Sequence, residues 1–279
     1  MAPLSPPLIH RPRGDLPVIL SVPHSGRDYS PELIASAHGG RPALASLEDP
    51  LVDRLAWRAL GRGLGAVVAR APRAAIDCNR AEDEIDPAVI GDAPRGRLSA
   101  RARGGLGIVP ARTARHGYLW KHPLTVTALE QRIDQAHRPF HHGLEELLAL
   151  TVDRFGCALL LDCHSMPSPA PGIPPVIIGD AFGRSAGRWL SDAALAAVRA
   201  HGFGARLNDP FAGGHVIERH GRPRAGVHAL QLEIDRACYL DAERAAPGPG
   251  FDDVARLIDA LVLMLGELLL ERRFAVAAE

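Results

Sequence analysis

Residues 157–165 read Cys-Ala-Leu-Leu-Leu-Asp-Cys-His-Ser, five apolar residues that run without a break into an acid and a histidine. An apolar run this short is a poor helix and a good buried strand, and strands buried on both faces belong to the interior of α/β sheets. We therefore assign a strand to Cys157–Leu161. The same reading applies to Leu16–Val22, which leads into Pro23-His24-Ser25-Gly26, and to Gly65–Ala69, Val176–Ile178 and Val227–Ile234. Longer segments with apolar residues at i, i+3 and i+4 lie between them, at Leu47–Leu60, Thr127–Val152, Gly183–Ala200 and Phe251–Arg273. Short strands alternating with helices predict an α/β domain with a largely parallel or mixed sheet.

A chain of 279 residues is long enough for one large domain of this class. With 47% hydrophobic and 23% charged residues the composition is that of a globular protein, which excludes an unstructured chain. Basic and acidic residues balance at 32 each, so no overall field draws the molecule to nucleic acid or to an anionic membrane. Lys121 is the only lysine, a bias that argues against reading each arginine as chosen for its geometry. No apolar run approaches a membrane span and the opening residues lack the apolar core of a signal peptide, so a cytoplasmic protein is expected. Cys78, Cys157, Cys163 and Cys238 form no C-x-x-C pair and are expected as free, mostly buried thiols. The irregular stretches 86–110 and 165–175 read as functional loops rather than linkers, which predicts a single domain over residues 1–279 behind an extended arm of about 15 residues. Four arginines between Arg95 and Arg103 read as a solvated loop in preference to an anion site.

An α/β sheet meets its ligand just beyond the carboxyl ends of its strands, and that is where His24 and His164 stand. In Val227–Ile234 the alternation places Leu230, Leu232 and Ile234 on one face and Gln231 and Glu233 on the other. A carboxylate in such a strand is costly to bury unless it is paired, solvated or at work. Two histidines and a carboxylate suit a catalytic zinc-type site, with a further carboxylate to take a proton from water. Glu48 and Asp49 offer the acid, and both are equally good residues for the first turn of a helix. The segment Ala74–Arg80 reads as a short strand ending in polar residues. There Asn79 and Arg80 can grip a carboxylate through paired hydrogen bonds, or Asp77 and Arg80 can simply close a turn.

Rival constellations carry less. His137 and His141 stand at i, i+4, but Arg138 occupies the place of the zinc-protease glutamate and Pro139 interrupts the turn. Cys163 and His164 are adjacent in a strand and point to opposite faces, so that histidine is badly placed to activate the thiol. The chain has no G-x-S-x-G, no Walker loop and no G-x-G-x-x-G after a strand.

In order, the segments SVPHSG, LEDPLVDRLA, AAIDCNR, GGLGIVP, RPFHHGLEELL, LLLDCHSM, NDPFAGGH and GVHALQLEIDRACY resemble the N-formylglutamate amidohydrolase family from about Leu16 to Leu240. The resemblance implies a phosphorylase/hydrolase-like fold, a three-layer α/β/α arrangement with a mixed central sheet, related to zinc carboxypeptidases and aspartoacylase. It implies hydrolysis of N-formyl-L-glutamate to formate and glutamate, a step of histidine degradation, with one divalent metal ion, zinc or cobalt. Carried over, His24 and His164 resemble the imidazole ligands, Glu233 the general base, and Asn79 with Arg80 the pair that holds the substrate carboxylate. The wider group uses His-x-x-Glu, whereas Arg27 stands three residues after His24; Asp49 is taken as the acidic ligand, with Glu48 and Asp28 as reserves. Two other functions fit the same residues: the same chemistry on another N-acyl amino acid or short peptide, and a non-catalytic binding protein for small acidic metabolites.

Overall fold

The structure is a computed structural model that describes residues 2–93 and 99–277. Its strands are β1 (Leu8–His10), β2 (Val18–Val22), β3 (Gly65–Val68), β4 (Arg112–Thr113), β5 (Gly117–Tyr118), β6 (Ala158–Met166), β7 (Val176–Gly179), β8 (Ala205–Leu207) and β9 (Val227–Asp235). A 7-stranded sheet runs in the order β1-β3-β2-β6-β9-β7-β8, and β4 pairs with β5 in a separate antiparallel hairpin. β2, β6 and β9 are parallel neighbours; β7 is antiparallel to β9 and parallel to β8. The sheet is mixed, and the protein is of the α/β class that the sequence predicts.

The chain groups into two compact units, Met1–Leu8 with Pro23–Glu48 and Val68–His142, and Ile9–Val22 with Asp49–Val67 and Gly143–Glu279. The second holds most of the sheet. Val18, Ile19 and Leu20 on β2 and Leu159, Leu160 and Leu161 on β6 are all buried, each such side chain contributing about 1.5–3 kcal/mol on leaving water. The helix Phe251–Ala277 buries Val254, Leu257, Ile258, Leu261 and Leu265 and packs on β6 and on the helices Val52–Leu55, Trp57–Gly61 and Arg188–Ala200. In the N-terminal arm, Leu8–His10 forms the edge strand of the sheet.

The first unit is less regular. Ile76, Ile90, Ile108, Val109, Leu129 and Ile133 make one apolar cluster, and Leu33, Leu44, Ala74, Ala75 and Leu119 another. The expected helix Thr127–Val152 is present as a continuous helical run, Val126–Arg132, a π turn at Ile133–His137, and Arg138–Phe155.

Three expectations are corrected. Leu47–Leu60 is not one helix, because Leu51 has φ 61, which no residue inside a right-handed helix can adopt; Glu48 and Asp49 lie in the turn before Val52–Leu55 and Trp57–Gly61. Ala74–Arg80 is not a strand: the amides of Ala75 and Ile76 go to the Pro72 carbonyl and that of Asp77 to Ile108, so no ladder forms. β6 runs on to Met166, placing Asp162, Cys163, His164 and Ser165 inside the strand rather than beyond it. Arg95 and Arg97 of the arginine run lie outside the described residues. Cys78, Cys157 and Cys163 are buried free thiols as expected, and burial pushes all three up in pKa. Among the described residues no helix is long and apolar enough to cross a membrane.

Candidate active site

In the second unit the site grows from strand register. Asp162 and His164 are two residues apart on β6 and so project from one face of the sheet. In register, Asp162 lies between Ser21 of β2 and Gln231 of β9, and His164 lies beside Glu233 of β9. The Ser21 hydroxyl donates to Asp162 Oδ1 at 2.6 Å, His164 Nε2 donates to Asp162 Oδ2 at 2.8 Å, and Gln231 Nε2 donates to Glu233 Oε1 at 2.9 Å. Asp49, itself buried, brings Oδ2 to 3.0 Å from His164 Nδ1 and accepts from Arg236 Nη2 through Oδ1 at 3.2 Å. Arg236 follows directly on β9 and also donates from Nε to the Ser165 hydroxyl at 3.2 Å.

Both ring nitrogens of His164 therefore face carboxylates. Burial works against a charged ring, but Asp162, Asp49 and the nearby Glu233 outweigh it and hold the imidazolium well above histidine's ordinary pKa.

In the first unit His24 forms the second cluster. Its Nε2 donates to Asp77 Oδ1 at 2.7 Å, with both side chains buried. The following turn is fixed by a close backbone approach: a Cβ on Gly26 would lie 2.0 Å from the Ala71 carbonyl oxygen, so only glycine fits there. Asp77 Oδ2 accepts from Arg73 Nε at 3.0 Å, Oδ1 accepts from the Asn79 amide at 2.8 Å, and Arg80 lies 4.0 Å away. Burial penalises the Asp77 charge, and His24, Arg73 and Arg80 more than offset it, holding the carboxyl well below the usual carboxylate range. Arg80 is 7% exposed and donates from Nη1 to the Asn79 carbonyl at 2.6 Å and from Nε to that of Leu106 at 2.8 Å. Its pKa is lowered by burial.

Six residues singled out in the sequence are divided between the two units. Asp49, His164 and Glu233 gather in the second unit; His24, Asn79 and Arg80 gather around Asp77 in the first. Of the reserve acids, Glu48 accepts from the Tyr29 hydroxyl at 2.5 Å and Asp28 pairs with Arg70 at 2.8 Å. Sequence reasoning missed Asp77, Asp162, Ser21 and Arg236. Asp162 carried a usable signal, an acid two residues before a histidine in a strand; Asp77 carried none linking it to His24.

His24 and His164 each carry a carboxylate on Nε2, a contact that fixes the orientation of the ring.

The family model described as N-formylglutamate amidohydrolase matches residues 16–240. The chain belongs to the N-formylglutamate amidohydrolase family. It is 31% identical over 268 residues to the N-formylglutamate deformylase of Pseudomonas aeruginosa, covering 92% of this chain and 94% of that one. The corresponding protein of Pseudomonas putida is 30% identical over the same coverage. Among solved structures, the N-formylglutamate amidohydrolase of Ralstonia eutropha superposes with a TM-score of 0.86 at 29% identity, over 97% of this chain and 99% of that one. The family assignment covers segments of both units.

Proposed function

We propose that this chain is a metal-dependent amidohydrolase that cleaves N-formyl-L-glutamate to formate and L-glutamate. The observation that carries the reading is His164, fixed by Asp162 on Nε2, facing Asp49 on Nδ1, and set beside Glu233 across the β6–β9 ladder. Imidazole nitrogen and carboxylate oxygen are the donors that zinc and cobalt take, and a cation at Nδ1 would replace the proton that faces Asp49. His24, Asp49 and His164 are the proposed ligands. When bound, the ion supplies Lewis acidity, making water a nucleophile near neutral pH and polarising the formyl carbonyl. Glu233 accepts the proton of the attacking water and returns it to the leaving amine, so that one carboxylate serves as base and then as acid. Asn79 and Arg80 hold the substrate's carboxylate, Arg80 through a guanidinium pre-oriented by two carbonyls. We read the mixed sheet as the centre of a three-layer phosphorylase/hydrolase-like fold, residues 1–279 as one domain, and the cytoplasm and histidine degradation as its setting.

The test is elemental analysis of the purified protein, coupled to formate release from N-formyl-L-glutamate before and after chelation and metal return. About one ion per chain with chelator-sensitive release supports the reading, and neither ion nor release after zinc or cobalt is supplied overturns it. Glu233→Gln is expected to keep the metal and to lose about 10²–10⁴ in turnover; an unchanged rate removes Glu233 from the role.

A further inference from the structure

The loop Ala75–Arg80 has no ladder of its own, yet its main-chain carbonyls are held by buried side chains from one helical run. Arg132 Nη1 donates to the Ala75 carbonyl at 2.8 Å, His141 Nε2 to that of Cys78 at 2.9 Å, and His137 Nε2 to that of Arg80 at 2.8 Å. Arg132, His137 and His141 are each at most 1% exposed. A carbonyl can only accept, so both histidines carry their proton on Nε2. Their rings are in contact, with centroids 4.5 Å apart.

The spacing of the three donors depends on the π turn. In an α-helix a separation of five residues turns the side chain well away from the starting face, whereas an i→i+5 turn takes in one extra residue and brings 132 and 137 back onto one side. The Arg138 amide bonds to the Ile133 carbonyl across that turn, and Pro139, which has no N–H, follows directly. His141 then falls one ordinary α turn beyond His137.

We propose that Arg132, His137 and His141 are positioning residues: they clamp the carbonyls of Ala75, Cys78 and Arg80, the last two on either side of Asn79, and thereby fix the Asn79–Arg80 grip on the substrate carboxylate. This rests on the proposed function, because it assigns the loop the binding of that carboxylate. A misplaced grip acts on carboxylate-dependent binding and leaves the hydrolytic chemistry intact.

The experiment compares His137→Leu and His141→Leu, which remove the donor, with His137→Gln and His141→Gln, which retain one. Steady-state kinetics are measured on N-formyl-L-glutamate and on its two mono-amides, alongside metal content and thermal unfolding. Wild-type protein is read first: failure to release formate removes the proposed function itself. The Leu variants are expected to keep their metal, to lose about ten- to hundredfold in kcat/KM through KM, and to lose discrimination between the acid and the amide at the gripped carboxylate. The Gln variants are expected to stay within about threefold of wild type. Folded Leu variants with unchanged KM and unchanged discrimination overturn the inference, as do Gln variants impaired as severely as Leu. Where Leu variants do not fold, His137→Asn and His141→Asn, with a donor on a shorter stem, replace them under the same criteria. Failure of the Asn variants to fold also overturns it, since the contacts then serve the fold rather than the loop.

Discussion

His164 takes its carboxylate from two residues away along β6, whereas His24 takes its own from 53 residues away, in a segment with no regular secondary structure. The end product is similar, a buried imidazole whose Nε2 is held by an aspartate at 2.8 Å in one case and 2.7 Å in the other. The physical supports differ. On β6 the pleat itself puts Asp162 and His164 on one face, and parallel register brings Ser21 and Glu233 alongside. Around His24 the geometry depends on Asp77 as a hub that answers His24, Arg73, Arg80 and the Asn79 amide together. A ladder distributes the work of placement over many backbone bonds, and a hub concentrates it in one carboxylate.

Asp77→Asn and Asp162→Asn put that contrast to its hardest test. Both are expected to weaken metal binding or turnover by about 10–100-fold, since each removes the charge that orients an imidazole. Their stability costs should separate. Asp77→Asn leaves Arg73 and Arg80 facing a neutral group in a buried setting, an expected loss of about 3–5 kcal/mol, while Asp162→Asn keeps an acceptor for the Ser21 hydroxyl within an intact ladder. Chemical denaturation with metal titration reads both quantities, and equal stability losses would erase the distinction between hub and ladder.

Another buried histidine, His220, sharpens the comparison by reversing its sign. His220 has Arg219 and Arg222 as charged neighbours, and burial together with those cations lowers its pKa to about 3. The native state thus holds His220 neutral while the unfolded chain protonates it near 6.5, so the unfolded state binds more protons between those values and stability is lost as pH falls through that window. At pH 5 the cost is about 2 kcal/mol. His220→Phe is expected to lose about that much less than wild type between pH 7 and pH 5 in urea denaturation. Identical losses would show that His220 does not set the acid limit.

The same division explains what the sequence disclosed. β2 and the first half of β6 are legible because a buried parallel strand is written as a nearly continuous apolar run, whereas β9 is legible by its alternation, in which Glu233 stands out as a polar member. Asp49 was ambiguous for a local reason, since an acid before a helix is also a good first-turn residue; Leu51 in the left-handed region breaks that helix and frees the turn for another use. Ala74–Arg80 reads as a strand because Ala74, Ala75 and Ile76 are apolar, but their burial comes from clusters distant in sequence, and the carbonyls of Ala75, Cys78 and Arg80 are answered by Arg132, His141 and His137. Arg138 and Pro139 both argue against His137 and His141 as a zinc-protease pair; the proline argument alone gives way, because the π turn accommodates Pro139 within a continuous helical run.

The smallest expected effect asks whether register or hydrogen bonding orients Asp162. Ser21 is fully buried, sits opposite Asp162 in the β2–β6 ladder and donates to it at 2.6 Å. Ser21→Ala removes a single donor to a charged acceptor, worth about 1.5 kcal/mol, and leaves the strand pairing and the His164 contact in place. If the ladder does the placing, metal affinity should change by only a few-fold, well short of the loss in Asp162→Asn. A loss as large as that of Asp162→Asn would mean that the hydroxyl holds the carboxylate in line, and β6 would then depend on one side chain much as His24 depends on Asp77.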